Sequence, residues 1–321
     1  MSEIKKRLKR LQKFEERVDA ILLVNKGNNP NFFYLSNCDI EGFFYYDFTE
    51  AFLITSEMEA MRARKLRIKN VVTQKIEDFL REHNAKKLAI DAQNTSLAIY
   101  KRLKIKDVDI SDYLSYMRSI KSKEEIKNVK AACKIASAIM KKAINEIRFS
   151  LSEWELKTII ESEMLKKGVE PSFPTIVETA DNLLPHHKPT NKKLREPVLI
   201  DLGVRYKGYC SDITRTIGSD FDDVIEKVFV AVEEELKPGK KTAELDKKAR
   251  AIMGRYSKYF IHNLGHGIGL EVHEKPVISQ RSKDVLKPNM TFTIEPGLYL
   301  RSGIRHEEDY LLTENGFTKL S

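Results

Sequence analysis

Between Val198 and Thr216 the chain runs Val-Leu-Ile-Asp-Leu-Gly-Val-Arg-Tyr-Lys-Gly-Tyr-Cys-Ser-Asp-Ile-Thr-Arg-Thr, two β-prone stretches joined by Lys207-Gly208. A two-residue hairpin turn at that dipeptide fixes the register: Tyr206 faces Tyr209, Asp201 faces Thr214, and Asp212 faces Gly203. Asp201 and Asp212 then share one face as diagonal neighbours, with Cβ atoms roughly 7–8 Å apart. Like charges so placed cost stability unless a cation neutralises them, and two metal ions roughly 3.5–4 Å apart would do so. A turn one residue longer would flip one carboxylate away. Taken alone, the hairpin also reads as an exposed acidic face.

Three further segments bear on that choice. His262-Asn-Leu-Gly-His-Gly-Ile-Gly-Leu-Glu-Val-His273 places three histidines in twelve residues, with glycines at 265, 267 and 269 that permit close backbone approach. Thr291-Phe-Thr-Ile-Glu-Pro-Gly297 ends a β-prone run on Glu295, and Pro296 makes that strand an edge or bends it. Gly303-Ile-Arg-His-Glu-Glu-Asp-Tyr-Leu-Leu312 reads as a returning strand that carries Glu307. Glu308 and Asp309 read as strand-end surface acids, although either could orient a ligand. Cys210, between the two hairpin aspartates, reads as a small buried residue ahead of a ligand.

The order Asp201, Asp212 in Ser-Asp-Ile-Thr-Arg-Thr, His266 in Gly-His-Gly-Ile-Gly, Glu295 in Ile-Glu-Pro-Gly, then Glu307 resembles the pita-bread metallopeptidases: methionine aminopeptidase, aminopeptidase P and prolidase. The resemblance is strongest over residues 117–321, and the whole chain is most similar to a prolidase, an Xaa-Pro dipeptidase. It implies two divalent ions per subunit, with Asp201 on one, Asp212 and Glu307 bridging, and His266 and Glu295 on the other. It also implies Glu295 as general base and proton shuttle, His273 as oxyanion stabiliser, and His186 in Leu183-Leu-Pro-His-His-Lys-Pro-Thr190 near the substrate amine and scissile bond. His262 and Arg305 fall at positions that border bound substrate in the family, and His187 reads as a bystander. A hard, carboxylate-rich set with one imidazole accepts Mn, Co, Fe or Zn, and ligand softness alone does not choose among them; Mn or Co is the expectation, with Fe or Zn as alternatives.

One departure bears on substrate length. Prolidases often carry an arginine for the substrate carboxylate after His-Glu-x-Pro, whereas His273-Glu-Lys-Pro276 is followed here by Val277. Lys275, Lys188, Arg301 and Arg305 are the candidates for the missing charge. An Xaa-Pro aminopeptidase acting on longer peptides is therefore the alternative to the dipeptidase. A third reading, a pita-bread domain reused as a binding module, is weakened by the presence of all five candidate ligands, four acids and one imidazole. The same completeness opposes metal-free creatinase-like chemistry.

Composition excludes other classes. The 321 residues leave room for two domains, each with a real core. There is no 18-residue apolar run and no signal-like leader, so a cytoplasmic protein without membrane partners is expected. Cys38, Cys133 and Cys210 are scattered and odd in number, which argues against a disulfide framework. The formal charge of +9 raises the question of nucleic acid. However, Lys5, Lys6, Arg7, Lys9 and Arg10 flank an apolar stripe of Ile4, Leu8, Leu11 and Phe14, and read as the solvated side of an amphipathic helix. No nucleic-acid partner is expected; a proline-containing peptide and a second copy of the chain, as a homodimer, follow from the resemblance.

The fold class expected is α+β: a pita-bread catalytic domain over 117–321, preceded by a smaller α/β, creatinase-like domain over 1–116. In the first, runs such as Ala20-Ile-Leu-Leu-Val24 alternate with helical stretches, and the patch Phe43-Phe-Tyr-Tyr-Asp-Phe48 reads as core or strand edge. In the second, capping boxes at Ser122-Lys-Glu-Glu125 and Ser152-Glu-Trp-Glu155 start helices. Ile126, Val129, Cys133, Ala136, Met140, Ile144 and Ile147 mark the buried side of the first, and Gly168 ends the second. Two more helices, near 222–236 and 242–255, are separated by Pro238-Gly239.

Overall fold

A computed structural model describes residues 3–66, 68–179 and 183–321. The described residues fall into two compact units that divide between Met117 and Arg118.

In the first unit a six-stranded mixed sheet has the spatial order Val71–Val72, Ala51–Ile54, Gly42–Tyr46, Ala20–Asn25, Lys87–Ile90, Lys106–Asp109. Ala20–Asn25 is buried throughout, antiparallel to Gly42–Tyr46 and parallel to Lys87–Ile90. A strand covered on both faces needs apolar side chains at every position, hence the unbroken run in the sequence. The aromatic patch is interior: Tyr45 meets Phe79 edge-on at 5.1 Å between ring centroids. The helix Glu3–Leu11 differs from expectation at Arg10, which is half-buried, and most of all at Arg7. Lys5, Lys6 and Lys9 are exposed, but Arg7 is buried, its guanidinium 4.1 Å over the Tyr34 ring and Nη1 donating to the Tyr34 carbonyl at 2.6 Å. A planar guanidinium tolerates burial when an aromatic face and a carbonyl replace its water.

In the second unit, Ser122 and Ser152 form the two capping boxes and start the helices Lys123–Asn145 and Glu153–Lys166. Gly168, at φ +68°, follows the second helix. The long helix buries Val129, Ala132, Cys133, Ala136, Ile139, Met140 and Ala143, and most of this face packs with Val198, Ile200 and Ile213 of the hairpin. Ile126 and Ile144 are only half-buried, and Ile147, also half-buried, lies beyond the end of the helix. The helices Asp222–Glu233 and Thr242–Met253 pack on a second core with Phe292, Ile294 and Tyr310. Around these lie antiparallel sheets, the largest with the order Glu274–Ile278, Gly265–Gly267, Thr291–Ile294, Glu308–Thr313, Gly316–Lys319. Cys38, Cys133 and Cys210 are free and buried. Among the described residues no helix is long and apolar enough to cross a membrane.

Candidate active site

Lys207 and Gly208 both take positive φ, +50° and +86°, the signature of a type I′ turn, and the pairs Tyr206–Tyr209 and Asp201–Thr214 form in register. The ribbon is not continuous, however. It splits into two sheets at Gly203 and Ser211-Asp212. Any side chain at 203 would collide there, since a Cβ would stand 2.1 Å from the Ser211 carbonyl oxygen and 2.2 Å from Ser172 Oγ. Asp212 therefore sits at a break in the ladder, and its N–H donates to Asp309 Oδ2 at 3.2 Å.

His266 lies on Gly265–Gly267, an interior strand of the five-stranded sheet. The close approach that its glycines permit is largely to the protein's own backbone. A Cβ at 265 would be 2.1 Å from the Thr293 carbonyl oxygen, one at 267 would be 2.0 Å from that of Lys275, and one at 269 would meet Glu274 Oε1 at 2.3 Å. Gly267→Ala is accordingly expected to push the two strands apart and cost about 1–3 kcal/mol, read as a lowered thermal midpoint together with weakened metal retention. An unchanged midpoint would contradict the close packing. Glu295 follows Thr291–Ile294, which is also interior, so Pro296 bends the strand and does not mark an edge. The Glu295 N–H extends the pairing with Gly265–Gly267 one residue further, donating to the Leu264 carbonyl at 2.8 Å. Glu307 falls between the strands Ile304–Arg305 and Glu308–Thr313, not within one, and its N–H donates to the Thr214 carbonyl at 3.0 Å. That bond lays the C-terminal segment along the hairpin.

The five side chains converge. Potential ligand atoms of Asp201, Asp212 and Glu307 lie within 4.8 Å of one another, as do those of His266, Glu295 and Glu307, and those of Asp212, His266 and His273. Burial, followed by the charges of neighbouring carboxylates, pushes the Asp212 and Glu295 carboxyls well above the usual range. The same causes lift Glu307 to about 7. Burial, then the nearby His273, lowers His266 to about 3, so its imidazole is neutral. His266 Nδ1 lies 3.1 Å from the Gly267 carbonyl, which can only accept, so the ring proton resides there. The lone pair on Nε2 then faces Glu295 Oε1 at 3.6 Å, Asp212 Oδ2 at 3.7 Å and Glu307 Oε1 at 3.8 Å. A lone pair aimed at three carboxylate oxygens is repulsive unless protons or metal cations lie between them. Asp201 Oδ1 and Glu307 Oε1 are also buried without a hydrogen-bond partner. These residues fit a site for divalent ions: hard oxygen donors, one neutral imidazole and unsatisfied acceptors turned inward.

Around this cluster the structure gives partners to residues named from the sequence and adds Tyr299 and Thr214 to them. Arg305 is fully engaged by protein: Nη2 donates to Asp201 at 2.5 Å, Nη1 to the Tyr299 hydroxyl and the Pro185 carbonyl at 2.9 Å each, and Nε to Thr214 Oγ1 at 3.3 Å. Its charge is matched by Asp201, which removes it from the candidates for holding a substrate carboxylate. The Tyr299 hydroxyl lies 2.8 Å from His262 Nε2, and His262 Nδ1 donates to the Asn263 carbonyl, also at 2.8 Å. Burial, then Arg305, lowers His262 to about 4, so it is neutral as well. Thr214 Oγ1 donates to Glu307 Oε2 at 2.8 Å. Asp309 is not a surface acid: it is fully buried, accepts from the Asp212 N–H and lies 3.2 Å from Cys133 Sγ. Glu308 is half-buried and pairs with Arg215 at 2.8 Å. Burial raises the Cys210 thiol to about 12, so it stays protonated, as suits a packing residue. His273 and His186 are exposed, the first with its ring 4.3 Å from that of His266. Tyr299 and the Thr214 hydroxyl carried no sequence signal, because the fold brings Tyr299 to His262 across 37 positions and Thr214 to Glu307 across 93.

A buried pocket of acids with one neutral imidazole, set between antiparallel sheets and paired helices, defines a metal-dependent hydrolase. Residues 127–314 match the model of metallopeptidase family M24, and residues 7–120 match that of the creatinase/prolidase N-terminal domain. The chain belongs to metallopeptidase family M24. It is 37% identical to an Xaa-Pro dipeptidase of Pyrococcus furiosus over 99% of this chain and 98% of that one. Among solved structures it is similar to the prolidase of Pyrococcus horikoshii, with a TM-score of 0.89 and 34% identity over 99% of this chain and 97% of that one. It is also similar to an X-Pro aminopeptidase of Thermotoga maritima, with a TM-score of 0.87 and 30% identity over 98% and 97%. The expected α+β, pita-bread architecture with its preceding α/β domain is thereby established, and membership of the family implies divalent metal ions.

Proposed function

We propose that this protein is a dinuclear metallopeptidase that hydrolyses the bond before proline, preferentially in Xaa-Pro dipeptides, with residues 117–321 as its catalytic domain. The observation that carries the reading is the neutral His266 Nε2 facing Asp212, Glu295 and Glu307 across gaps of 3.6–3.8 Å, beside the unpartnered oxygens of Asp201 and Glu307. Asp201, Asp212, His266, Glu295 and Glu307 would hold two divalent ions, Mn or Co in preference to Fe or Zn. The full-length likeness to a dipeptidase supports the substrate class.

Ions held there supply Lewis acidity toward the scissile carbonyl and a lowered pKa for the attacking water. The remaining work belongs to the chain. Glu295, whose carboxyl is raised by burial, takes the water's proton and delivers it to the departing proline nitrogen. His273 donates to the oxyanion. His186 lies near the substrate amine and scissile bond, while His262, held by Tyr299, shapes the substrate pocket. Arg305 acts from behind, fixing Asp201 and the Pro185 carbonyl.

His273→Ala is expected to retain its metal while kcat falls about 10²–10³-fold, the usual cost of one oxyanion donor. A rise confined to KM would reassign His273 to binding. Comparing hydrolysis of Gly-Pro with that of a longer Gly-Pro peptide, each with Mn or Co added, tests the dipeptidase directly. Faster cleavage of the longer peptide would favour the aminopeptidase reading, which the likeness to the Thermotoga maritima enzyme and Val277 after Pro276 support. A homodimer in the cytoplasm completes the reading, and sedimentation of the metal-loaded protein checks the first of these.

A further inference from the structure

His186 has a neighbour that the mechanism above does not use. His187 is half-buried between two acids that are themselves almost inaccessible, Glu153 and Glu178, exposed by 0% and 1%. Its Nε2 lies 2.9 Å from Glu153 Oε2 and its Nδ1 3.8 Å from Glu178 Oε1. The same carboxylates gather the backbone on either side. Glu178 accepts from the Leu184 N–H through both oxygens at 3.1 Å. Glu153 accepts from the Thr190 N–H and hydroxyl at 2.8 Å each, and from the Thr179 N–H at 2.9 Å. With Arg305 holding the Pro185 carbonyl, the segment is anchored at 184, 185, 187 and 190, and the His186 side chain between these anchors is exposed. His186 is close enough to His262 and His273 to act electrostatically on both.

We propose that His187 is a positioning residue: clamped between buried Glu153 and Glu178, it sets segment 183–190 so that the adjacent His186 faces the substrate. The inference rests on the site reading above only for what His186 does, not for how the segment is held. Carboxylates accept and cannot donate, so a ring N–H at Nε2 is the group that ties the middle of the segment to Glu153. Burial alone would raise Glu153, but the hydrogen bonds from His187, Thr179 and Thr190 outweigh it and hold the carboxyl below its ordinary range. A carboxylate that stays charged in the interior makes a strong anchor. Removing one donor loosens the stretch that carries His186, and a displacement of about 1 Å at a substrate-facing group costs about 10²-fold in rate.

The test compares His187→Ala and His187→Gln in the metal-loaded protein, each alone and combined with His186→Ala. The expected results are unchanged metal content in both and a kcat/KM lowered about 10²-fold in the alanine variant, carried by kcat. Glutamine, whose amide reaches as Nε2 does, should restore most of the loss. In the His186→Ala background, His187→Ala should cost nothing further, because its effect passes through His186. An equal cost in both backgrounds would overturn the proposal. Amide exchange of Leu184 and Thr190 supplies a readout that needs no substrate: it should accelerate in His187→Ala and not in His187→Gln, and unchanged protection would also overturn it. A wild-type protein inactive on every Xaa-Pro substrate would sink the proposed function instead, and the exchange result would still decide how the segment is held.

Discussion

Asp212→Asn is expected to lose hydrolysis and metal retention together while remaining folded. The substitution keeps the shape and removes the charge from the residue whose potential ligand atoms group both with Asp201 and Glu307 and with His266 and His273. Losing several kcal/mol of charge stabilisation corresponds to more than about 10³-fold in turnover. The metal-free protein should respond in the opposite sense. Burial and the charges of Glu307 and Asp201 press Asp212 toward its protonated form, so replacing it with a neutral amide relieves repulsion. At pH 8 the metal-free variant should therefore melt no lower than metal-free wild type, and added Mn should raise wild type alone. A variant with normal turnover, or one that binds Mn as wild type does, would refute the role of Asp212 in the centre.

The second large effect is the pH dependence of the metal-free protein. The Glu307 carboxyl, ordinarily at 4.5, is lifted to about 7 in the fold, chiefly by burial and then by Asp201. Between those values the folded chain binds more protons than the unfolded one, so stability falls as pH rises through the window from about 4.5 to about 7 and stays low above it. For a shift of this size the loss is a few kcal/mol from Glu307 alone, with Asp212 and Glu295 acting in the same direction. Divalent ions bind the deprotonated oxygens, so the gain from added metal should be larger at pH 8 than at pH 5. At a thousand times the Kd it reaches about 4 kcal/mol. Thermal midpoints of chelator-treated protein across pH 5–8, with and without Mn, measure this. A flat profile in the chelated protein would mean that the acids do not share one buried pocket.

The elements with strong local signals were legible in the chain. Lys207-Gly208 dictated a type I′ turn, and through it the pairing of Asp201 with Thr214, because a two-residue loop leaves no freedom of register. Ser122 with Glu125 and Ser152 with Glu155 marked two helix starts through bonds made within four residues. The misreadings share one cause. Asp309 and Arg7 look like surface charges, since charged residues are seldom fully buried. Each is interior because a partner distant in sequence compensates it: the Asp212 N–H, 97 residues away, for Asp309, and Tyr34 for Arg7. His187 looks idle until Glu153 and Glu178 close on it.

By itself, the amino-acid order determined which groups are available for metal chemistry and which strands and helices present them, since turns, caps and alternating burial act over a few residues. Only the tertiary structure decided that Arg305 spends its charge on Asp201, that Tyr299 holds His262, and that Asp309 backs Asp212. Those choices depend on segments brought together across roughly 40 to 100 positions. There the cost of burying a charge is offset by whichever partner the fold delivers, and no local pattern encodes that partner.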